Sequence, residues 1–179
     1  MSDYFRKLKF LFQENKGQPE KINVCWDILA KLLGYMLLLT DEEQIELGKL
    51  DNHNPRVLQE IIEEFVVPHY RYFPPENQEK IRNTLTYYLA TDSEKLGWVF
   101  PSYQIAIDDA VAKIFYTIVW QKLYGTDFPE PINPDDYEED CSPDFINSVY
   151  FSAALEKKYN PNDERPSVAN IIARLKQNP

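Results

Sequence analysis

The sequence predicts an all-α protein, with residues 1–179 forming a single domain of about eight helices packed at mixed angles. Three observations favour this fold. Apolar residues recur with the 3.6-residue period of a helix in many successive segments. Residues that typically begin or end helices flank most of these segments. Hydrophobic residues make up 44% of the chain, which is enough for a buried core. No internal repeat or long heptad pattern points to a coiled coil.

Local start signals mark most of the helices. Thr40 and Glu43 have the spacing of a capping box, in which each side chain binds the backbone amide of the other residue. Asn54 precedes Pro55, which suits an N-cap followed by proline in the first turn. We expect helices to begin near residues 2, 24, 41, 55, 75, 102, 142 and 167.

Two segments leave the secondary structure open. Pro68 should end the helix that begins at Pro55, and the residues after it should run extended because each residue before a proline avoids the helical region. Residues 114–120 are rich in β-branched and aromatic side chains, so a short strand there, giving an α+β fold, is an alternative. We favour a helix because alanines precede this segment and no hairpin signal flanks it.

The charge and the cysteines restrict the function and the compartment. With 19 Lys+Arg against 29 Asp+Glu, the net charge of -10 opposes direct binding to nucleic acid or anionic lipid. The most apolar run, residues 28–39, is shorter than the roughly 20 residues that a membrane span needs. Cys25 and Cys141 lack metal-binding spacing, and we expect both to be free thiols in a reducing cytoplasm. No motif indicates a cofactor or a metal.

One segment differs from the rest of the chain in composition. Residues 125–144 (GTDFPEPINPDDYEEDCSPD) contain eight of the 29 acidic residues and no lysine or arginine. The remaining 21 acidic and 19 basic residues nearly balance, so most of the excess negative charge lies in this segment. Its four prolines disfavour helix and favour an extended chain. We therefore predict an acidic, proline-rich connector.

This connector suits the docking of a basic protein. Clustered carboxylates accelerate association with a cationic partner, and aromatic side chains supply apolar anchors. The expected partner-binding residues are Asp127, Phe128, Glu130, Asp135, Asp136, Tyr137, Glu138, Glu139 and Asp140. Two other interpretations of the connector are a solvated link without a partner and, with less support, a calcium site.

The sequence therefore predicts a non-enzymatic, cytoplasmic protein-binding domain that neutralises or regulates a basic protein partner. A toxin-immunity protein or an inhibitor, which offers carboxylates in place of phosphates, is its most concrete form. One alternative is a small enzyme or metal-dependent protein that uses the acidic run or Asp108, which we expect on the half-buried side of the helix beginning near residue 102. Another is a structural or adaptor subunit with a contiguous apolar patch.

Overall fold

The computed structural model describes residues 20–91, 93–103, 107–125, 131–162 and 164–177. In this part of the chain the backbone forms nine α-helices and one two-stranded sheet, which confirms the all-α fold. None of the helices within these ranges has the length and hydropathy of a membrane span. The helix expected near residue 2 and the connector residues Asp127, Phe128 and Glu130 lie outside the described residues.

The elements follow one another along the chain without a repeating pattern. The strands are β1 (Ile22–Val24) and β2 (Tyr137–Glu139). The helices are α1 (Ile28–Leu32), α2 (Asp41–Gly48), α3 (Pro55–Ile61), α4 (Val67–Tyr70), α5 (Pro75–Ala90), α6 (Asp109–Tyr124), α7 (Pro143–Asn147), α8 (Ala153–Tyr159) and α9 (Val168–Gln177). Three 3₁₀ segments, Gly34–Leu38, Glu94–Tyr103 and Pro134–Asp136, and one π turn, Ile62–Val66, complete the described structure.

The two longest helices, α5 and α6, contribute many of the largest buried side chains. Tyr88 on α5 and Phe115 and Tyr116 on α6 are all fully buried. Phe100, from the second 3₁₀ segment, packs between them with its ring 5.2 Å from Phe115 and 5.6 Å from Tyr116. Ring pairs at such distances contribute about 1 kcal/mol each beyond the burial of their area. The aromatic residues therefore form the centre of the core.

Helices with a local start signal begin where the sequence predicts. The Thr40 side chain accepts a hydrogen bond from the Glu43 amide at 3.3 Å, and the Glu43 carboxylate accepts one from the Thr40 amide at 3.1 Å. The Asn54 side chain accepts from the Arg56 amide, with Pro55 in the first turn. Both starts are confirmed, because each one depends on residues within a single turn.

The prediction that Pro68 ends the helix is wrong. The chain remains helical from Pro55 to Tyr70 because the π turn precedes the proline. In this turn the Val67 amide donates to the carbonyl of Ile62, five residues back. A proline cannot donate a backbone hydrogen bond and its ring crowds the carbonyl four residues before it. The wider turn accommodates this crowding, so the helix continues into α4.

Helix α6 begins later than expected, and it is capped by a different residue. The Asp108 side chain accepts a hydrogen bond from the Val111 amide at 2.9 Å, so Asp108, not Ser102, is the N-cap. Asp108 is exposed, which corrects the expectation of a half-buried carboxylate inside the helix. Residues 114–120 are helical, so the alternative of a strand there is wrong. Gly125 ends the helix in the left-handed conformation (φ 65°).

Two other predicted helices are divided differently. The segment expected to be helical from residue 24 to residue 39 begins instead with β1 and continues as the short α1 and a 3₁₀ segment. The helix expected from residue 142 breaks after Asn147, and α8 starts separately with Ser152 as its N-cap. These breaks place Leu37, Leu38, Tyr150 and Phe151 outside α-helices, where the 3.6-residue period no longer decides which side is buried.

The two strands join parts of the chain that lie far apart in sequence. They pair in parallel, with Ile22 opposite Tyr137 and Val24 opposite Glu139. Immediately beyond the strands, Cys25 and Cys141 form a disulfide with a Cα–Cα distance of 5.1 Å, so the prediction of two free thiols is wrong. The strand pairing brings the two cysteines within disulfide reach. Disulfides are typical of oxidising compartments, so the cysteines no longer support the predicted cytoplasmic location.

Arg174 connects helix α9 with α3 and the π turn. Arg174 donates hydrogen bonds to the carboxylates of Glu60 and Glu64, the latter at 2.7 Å. Burial alone would raise the pKa of Glu64, but hydrogen bonds from Asn170, the Ser167 amide and Arg174 outweigh it and hold the pKa below its usual value. The two glutamates are only 14% and 10% exposed, so they depend on this cation.

Replacing this arginine tests how α9 is held. We expect Arg174→Ala to lower the free energy of unfolding by about 2 kcal/mol, because it leaves two poorly solvated carboxylates without their cation while water compensates in part. Lys122→Ala is the matched control, since it breaks an ion pair to the more exposed Glu63; its effect should stay below about 0.5 kcal/mol. Urea unfolding measures both values, and equal losses would contradict the proposed dependence of α9 on Arg174.

Candidate functional site

The described part of the acidic connector forms a strap along one edge of the structure. We call residues 131–142 the acidic strap. A 3₁₀ turn opens it, in which the Asn133 side chain accepts a hydrogen bond from the Asp135 amide. The strap continues as β2 and reaches the disulfide at Cys141. The Asp140 amide adds a further hydrogen bond to the Val24 carbonyl at 3.0 Å. The strap is therefore anchored at its C-terminal half.

The predicted carboxylates of the strap divide into two groups. Glu139 forms an ion pair with Lys95, and Asp140 accepts hydrogen bonds from the Ser142 amide at 3.0 Å and from Asn23 at 3.4 Å. Hydrogen bonding to Ser142 lowers the pKa of Asp140. These two acids hold the strap in place instead of facing outward unpaired.

The other three acids of the strap keep their charge free of any described cation, although Asp136 also accepts a hydrogen bond from the Asn133 side chain at 3.1 Å. Asp135, Asp136 and Glu138 are exposed, and none of them forms an ion pair with a lysine or arginine that the structure describes. Tyr137 lies between them in sequence but is half-buried, with its ring 5.4 Å from that of Tyr87. The strap thus presents carboxylates outward and uses its tyrosine for attachment.

A pocket that the sequence did not reveal opens close to the anchored end of the strap. Its volume is about 530 Å³, within the roughly 300–1,000 Å³ range of ligand sites. Asp27 on one wall follows Cys25 by two residues, and Asn147 on another follows Cys141 by six. The disulfide therefore lies at the junction between the strap and the walls of the pocket. We call this cavity the His69 pocket, after the buried histidine that lines it.

The entrance of the His69 pocket is strongly apolar. Four large side chains that line it are at least half exposed: Leu37 at 62%, Leu38 at 52%, Tyr150 at 56% and Phe151 at 50%. The two leucines come from the first 3₁₀ segment, and the two rings from the connection between α7 and α8. Apolar side chains clustered in this way on a protein surface often mark a site that binds another molecule.

His69 occupies a ring of aromatic side chains inside the pocket. It is only 6% exposed, and its ring centroid lies 4.7 Å from Tyr35, 5.2 Å from Phe73 and 5.9 Å from Phe151. Burial lowers the pKa of His69 to about 4, with partial opposition from the Lys31 backbone carbonyl. The imidazole is therefore neutral at pH 7. Its Nδ1 atom is buried and has no hydrogen-bond partner among the described residues.

A tyrosine connects the histidine with the acidic side of the pocket. The Tyr35 hydroxyl donates a hydrogen bond to Glu156 at 3.2 Å. Burial, reinforced by the neighbouring Tyr72 and Glu156, raises the pKa of Tyr35 far above its usual value, so the hydroxyl stays protonated. Glu156 and Asp27 both line the pocket, together with the cation Lys31. The walls are thus apolar, with two carboxylates and one ammonium group.

A glycine allows this close packing. A Cβ atom on Gly34 would lie 2.8 Å from Nε2 of His69, which is closer than real side-chain contacts permit. Gly34 begins the 3₁₀ segment that carries Leu37 and Leu38. The absence of a side chain at this position therefore lets the apolar entrance come against the histidine.

The arrangement does not resemble a metal centre. Within the ranges that the structure describes, no three His, Cys, Asp or Glu side chains converge closely enough to hold an ion. Asp108, the carboxylate considered for catalysis, serves as the cap of α6. His69 has no nucleophilic serine or cysteine among its ring neighbours, which are Tyr35, Tyr72, Phe73 and Phe151.

Comparisons with known proteins do not extend this description. No protein-family model, curated protein or solved structure matches the chain. The class of the protein is therefore defined by its own fold and surface, as an all-α protein that combines an acidic strap with an apolar pocket.

Sequence reasoning missed the pocket for an identifiable reason. Its walls come from three separate regions of the chain, near residues 27–38, 69–73 and 147–156. One local signal was present: the run from 28 to 39 is too apolar for one face of a helix. This signal does not indicate which other segments it meets.

The tight contact at Gly34 leads to a stability prediction. We expect Gly34→Ala to lower the free energy of unfolding by about 1–3 kcal/mol, because the new methyl group must displace a buried imidazole. Gly48→Ala is the control, since a Cβ atom there meets nothing within 4 Å and the position ends helix α2. That change should be neutral or stabilise by up to about 1 kcal/mol. Denaturant unfolding of both variants measures the difference, and a neutral Gly34→Ala would contradict the observed packing.

The buried histidine predicts a pH dependence of stability. Because the folded-state pKa of His69 is about 4, below the usual 6.5, the unfolded chain binds more protons between these values. The free energy of unfolding should therefore rise between pH 4 and pH 6.5, and His69 should contribute up to about 3 kcal/mol of this rise. Above pH 6.5 His69 should cause no further rise.

Two histidine variants separate the contribution of His69 to this pH dependence from the contribution of the carboxylates. His69→Asn should reduce the rise in unfolding free energy between pH 4 and 6.5, whereas His53→Gln, at an exposed position, should retain it. Urea unfolding at a series of pH values gives the slopes. Identical slopes for the wild type and His69→Asn would show that this histidine is not buried in the neutral form.

Proposed function

We propose that the protein is a non-enzymatic protein-binding domain whose acidic strap docks a basic region of a protein partner. The observation that carries this proposal is the set of three exposed carboxylates, Asp135, Asp136 and Glu138, without a cation from the described residues. A fixed row of like charges attracts a cationic surface from a distance and orients it on approach.

The anchoring of the strap strengthens the case for recognition over simple solubility. A solvated connector needs no fixed conformation, whereas this strap is held by strand pairing, by the Cys25–Cys141 disulfide and by the Lys95–Glu139 ion pair. Carboxylates that are already positioned lose less conformational entropy when a partner binds. The disulfide also favours an oxidising compartment as the place where the partner is encountered.

An inhibitor or a toxin-immunity protein is the specific form that we propose. In this form the carboxylates occupy a basic surface that would otherwise bind phosphates, and the partner is neutralised by direct competition. The proposed partner is therefore a toxin or another nucleic-acid-binding protein, and nucleic acid itself does not bind this chain. A polyanion such as duplex DNA should then compete with the strap for the same basic surface.

Neutralising the three free carboxylates tests the docking role. With a decalysine peptide as probe, Asp135→Asn/Asp136→Asn/Glu138→Gln should weaken binding about tenfold and reduce its dependence on salt, since each lost ion pair contributes about 0.5 kcal/mol. Fluorescence anisotropy at low and high salt measures both effects.

A charge-matched variant separates the strap from net charge. The combination Asp41→Asn/Glu42→Gln/Glu79→Gln removes the same charge from exposed positions outside the strap. Its affinity for decalysine should stay within about twofold of the wild type, because general attraction is screened beyond roughly 10 Å at 0.1 M salt. An equal loss of affinity in both variants would contradict a specific role for the strap.

A further inference from the structure

Short stretches of chain on both sides of the disulfide connect the acidic strap with the walls of the His69 pocket. The chain passes from the strap through Cys141 into α7, and the connection after α7 supplies Tyr150 and Phe151 to the pocket. On the other side of the disulfide, Cys25 leads directly to Asp27 in the pocket wall. The disulfide therefore ties the strap and two walls of the pocket to one point of the fold.

The walls of the pocket favour an aromatic occupant. The exposed side chains at the entrance are aliphatic and aromatic, and Phe73 and Val149 continue this surface inward. Buried aromatic side chains in such cavities supply much of the binding energy of protein interfaces, with tryptophan, tyrosine and arginine the most frequent anchors. The volume of about 530 Å³ accommodates a ring as large as indole.

The buried His69 imidazole in the pocket wall favours one kind of aromatic ring over another. His69 is neutral, and its Nδ1, which has no partner among the described residues, is a hydrogen-bond acceptor when the proton lies on Nε2. The atom is buried, so a neighbouring side chain must turn aside to admit a donor; among the rings that pack on His69 in the described structure, Phe151 is the exposed one. Such side-chain rotations are common when proteins bind. A ring with an N–H group gains a partner there, and a purely hydrocarbon ring does not.

The charges at the pocket favour cationic residues on either side of that ring. Asp27 and Glu156 supply two carboxylates to the lining, against the single ammonium group of Lys31. An anionic ligand such as a fatty acid would meet Lys31 but also two like charges. A ring flanked by lysine or arginine finds both carboxylates, and the exposed acids of the strap extend the same attraction.

We propose that the His69 pocket is the anchor site for a tryptophan side chain of the basic partner, with the lysine or arginine neighbours of that tryptophan on Asp27, Glu156 and the acidic strap. This proposal rests on the proposed function and adds the residue type that the partner must present. It makes the surface bipartite, with the strap directing the approach and the pocket retaining the bound partner.

Short peptides test the pocket directly with the full chain. The probes are Ac-KKWKK-NH2 and three matched changes: alanine for tryptophan, 1-methyltryptophan for tryptophan, and EEWEE for the charges. Titration followed by NMR of backbone amides and leucine methyl groups should show shifts at Leu37, Leu38, Val149 and Phe151. We expect Ac-KKWKK-NH2 to bind at least about fivefold more tightly than each of the other three peptides.

A pair of variants at equally exposed positions controls for loss of an apolar surface residue. Leu37 and Ile45 are 62% and 61% exposed, but only Leu37 lines the pocket. Leu37→Asp should weaken Ac-KKWKK-NH2 about tenfold, and Ile45→Asp should leave its affinity unchanged. Because both side chains are largely solvated, both variants should fold, and amide spectra of the free proteins verify this.

The outcomes separate the pocket from the strap. Equal affinity for the tryptophan and alanine peptides, or no effect of Leu37→Asp, overturns the anchor site while leaving the docking role of the strap intact. Equal affinity for tryptophan and 1-methyltryptophan overturns the donor requirement and with it this proposal. A third outcome is that the strap variant binds decalysine as tightly as the wild type, while Ac-KKWKK-NH2 still binds in the pocket more tightly than the EEWEE peptide. In that case the proposed function of the strap is wrong and the anchor site stands.

Discussion

The covalent link between Cys25 and Cys141 is the constraint on which the functional surface depends. The strands beside it contain only three residues each, and a two-stranded sheet of this size is at best marginally stable in water. The disulfide closes a loop across 116 residues, which in the chain-entropy view stabilises the folded state by roughly 4–5 kcal/mol. The same link fixes the end of the acidic strap and the start of the pocket wall, so the two halves of the surface share one attachment point.

The His69 pocket groups several unfavourable features at one place. Single apolar side chains such as Ile45 and Trp98 are exposed elsewhere, but four exposed apolar side chains line this one cavity. Around the His69 pocket, large apolar side chains face solvent and a buried imidazole nitrogen has no partner among the described residues. Natural proteins accept such costs mainly where they bind or react. The grouping of these costs at one cavity supports a binding role for the His69 pocket.

The success of sequence reasoning depended on how far apart the interacting residues lie. The capping box at Thr40 and the start at Asn54 were predicted because each arises within one turn of a single helix. The acidic segment was found by composition alone. The sheet and the disulfide join residues more than 100 positions apart, and nothing local distinguishes Val24 or Cys25 from residues of a helix. The pocket was not predicted for the same reason, since it forms only where three segments that are distant in sequence pack together.

The π turn before Pro68 determines where the residues after it point. A π turn is equivalent to one residue inserted into an α-helix, and each residue rotates an α-helix by about 100°. The widened turn at Ile62–Val66 therefore resets the direction of every side chain that follows, including His69. A homologous chain lacking a single residue in this turn would keep the same helix and the same composition. Its histidine would face a different side of that helix, and the cavity would lose the one ring nitrogen that distinguishes it from an ordinary gap between helices.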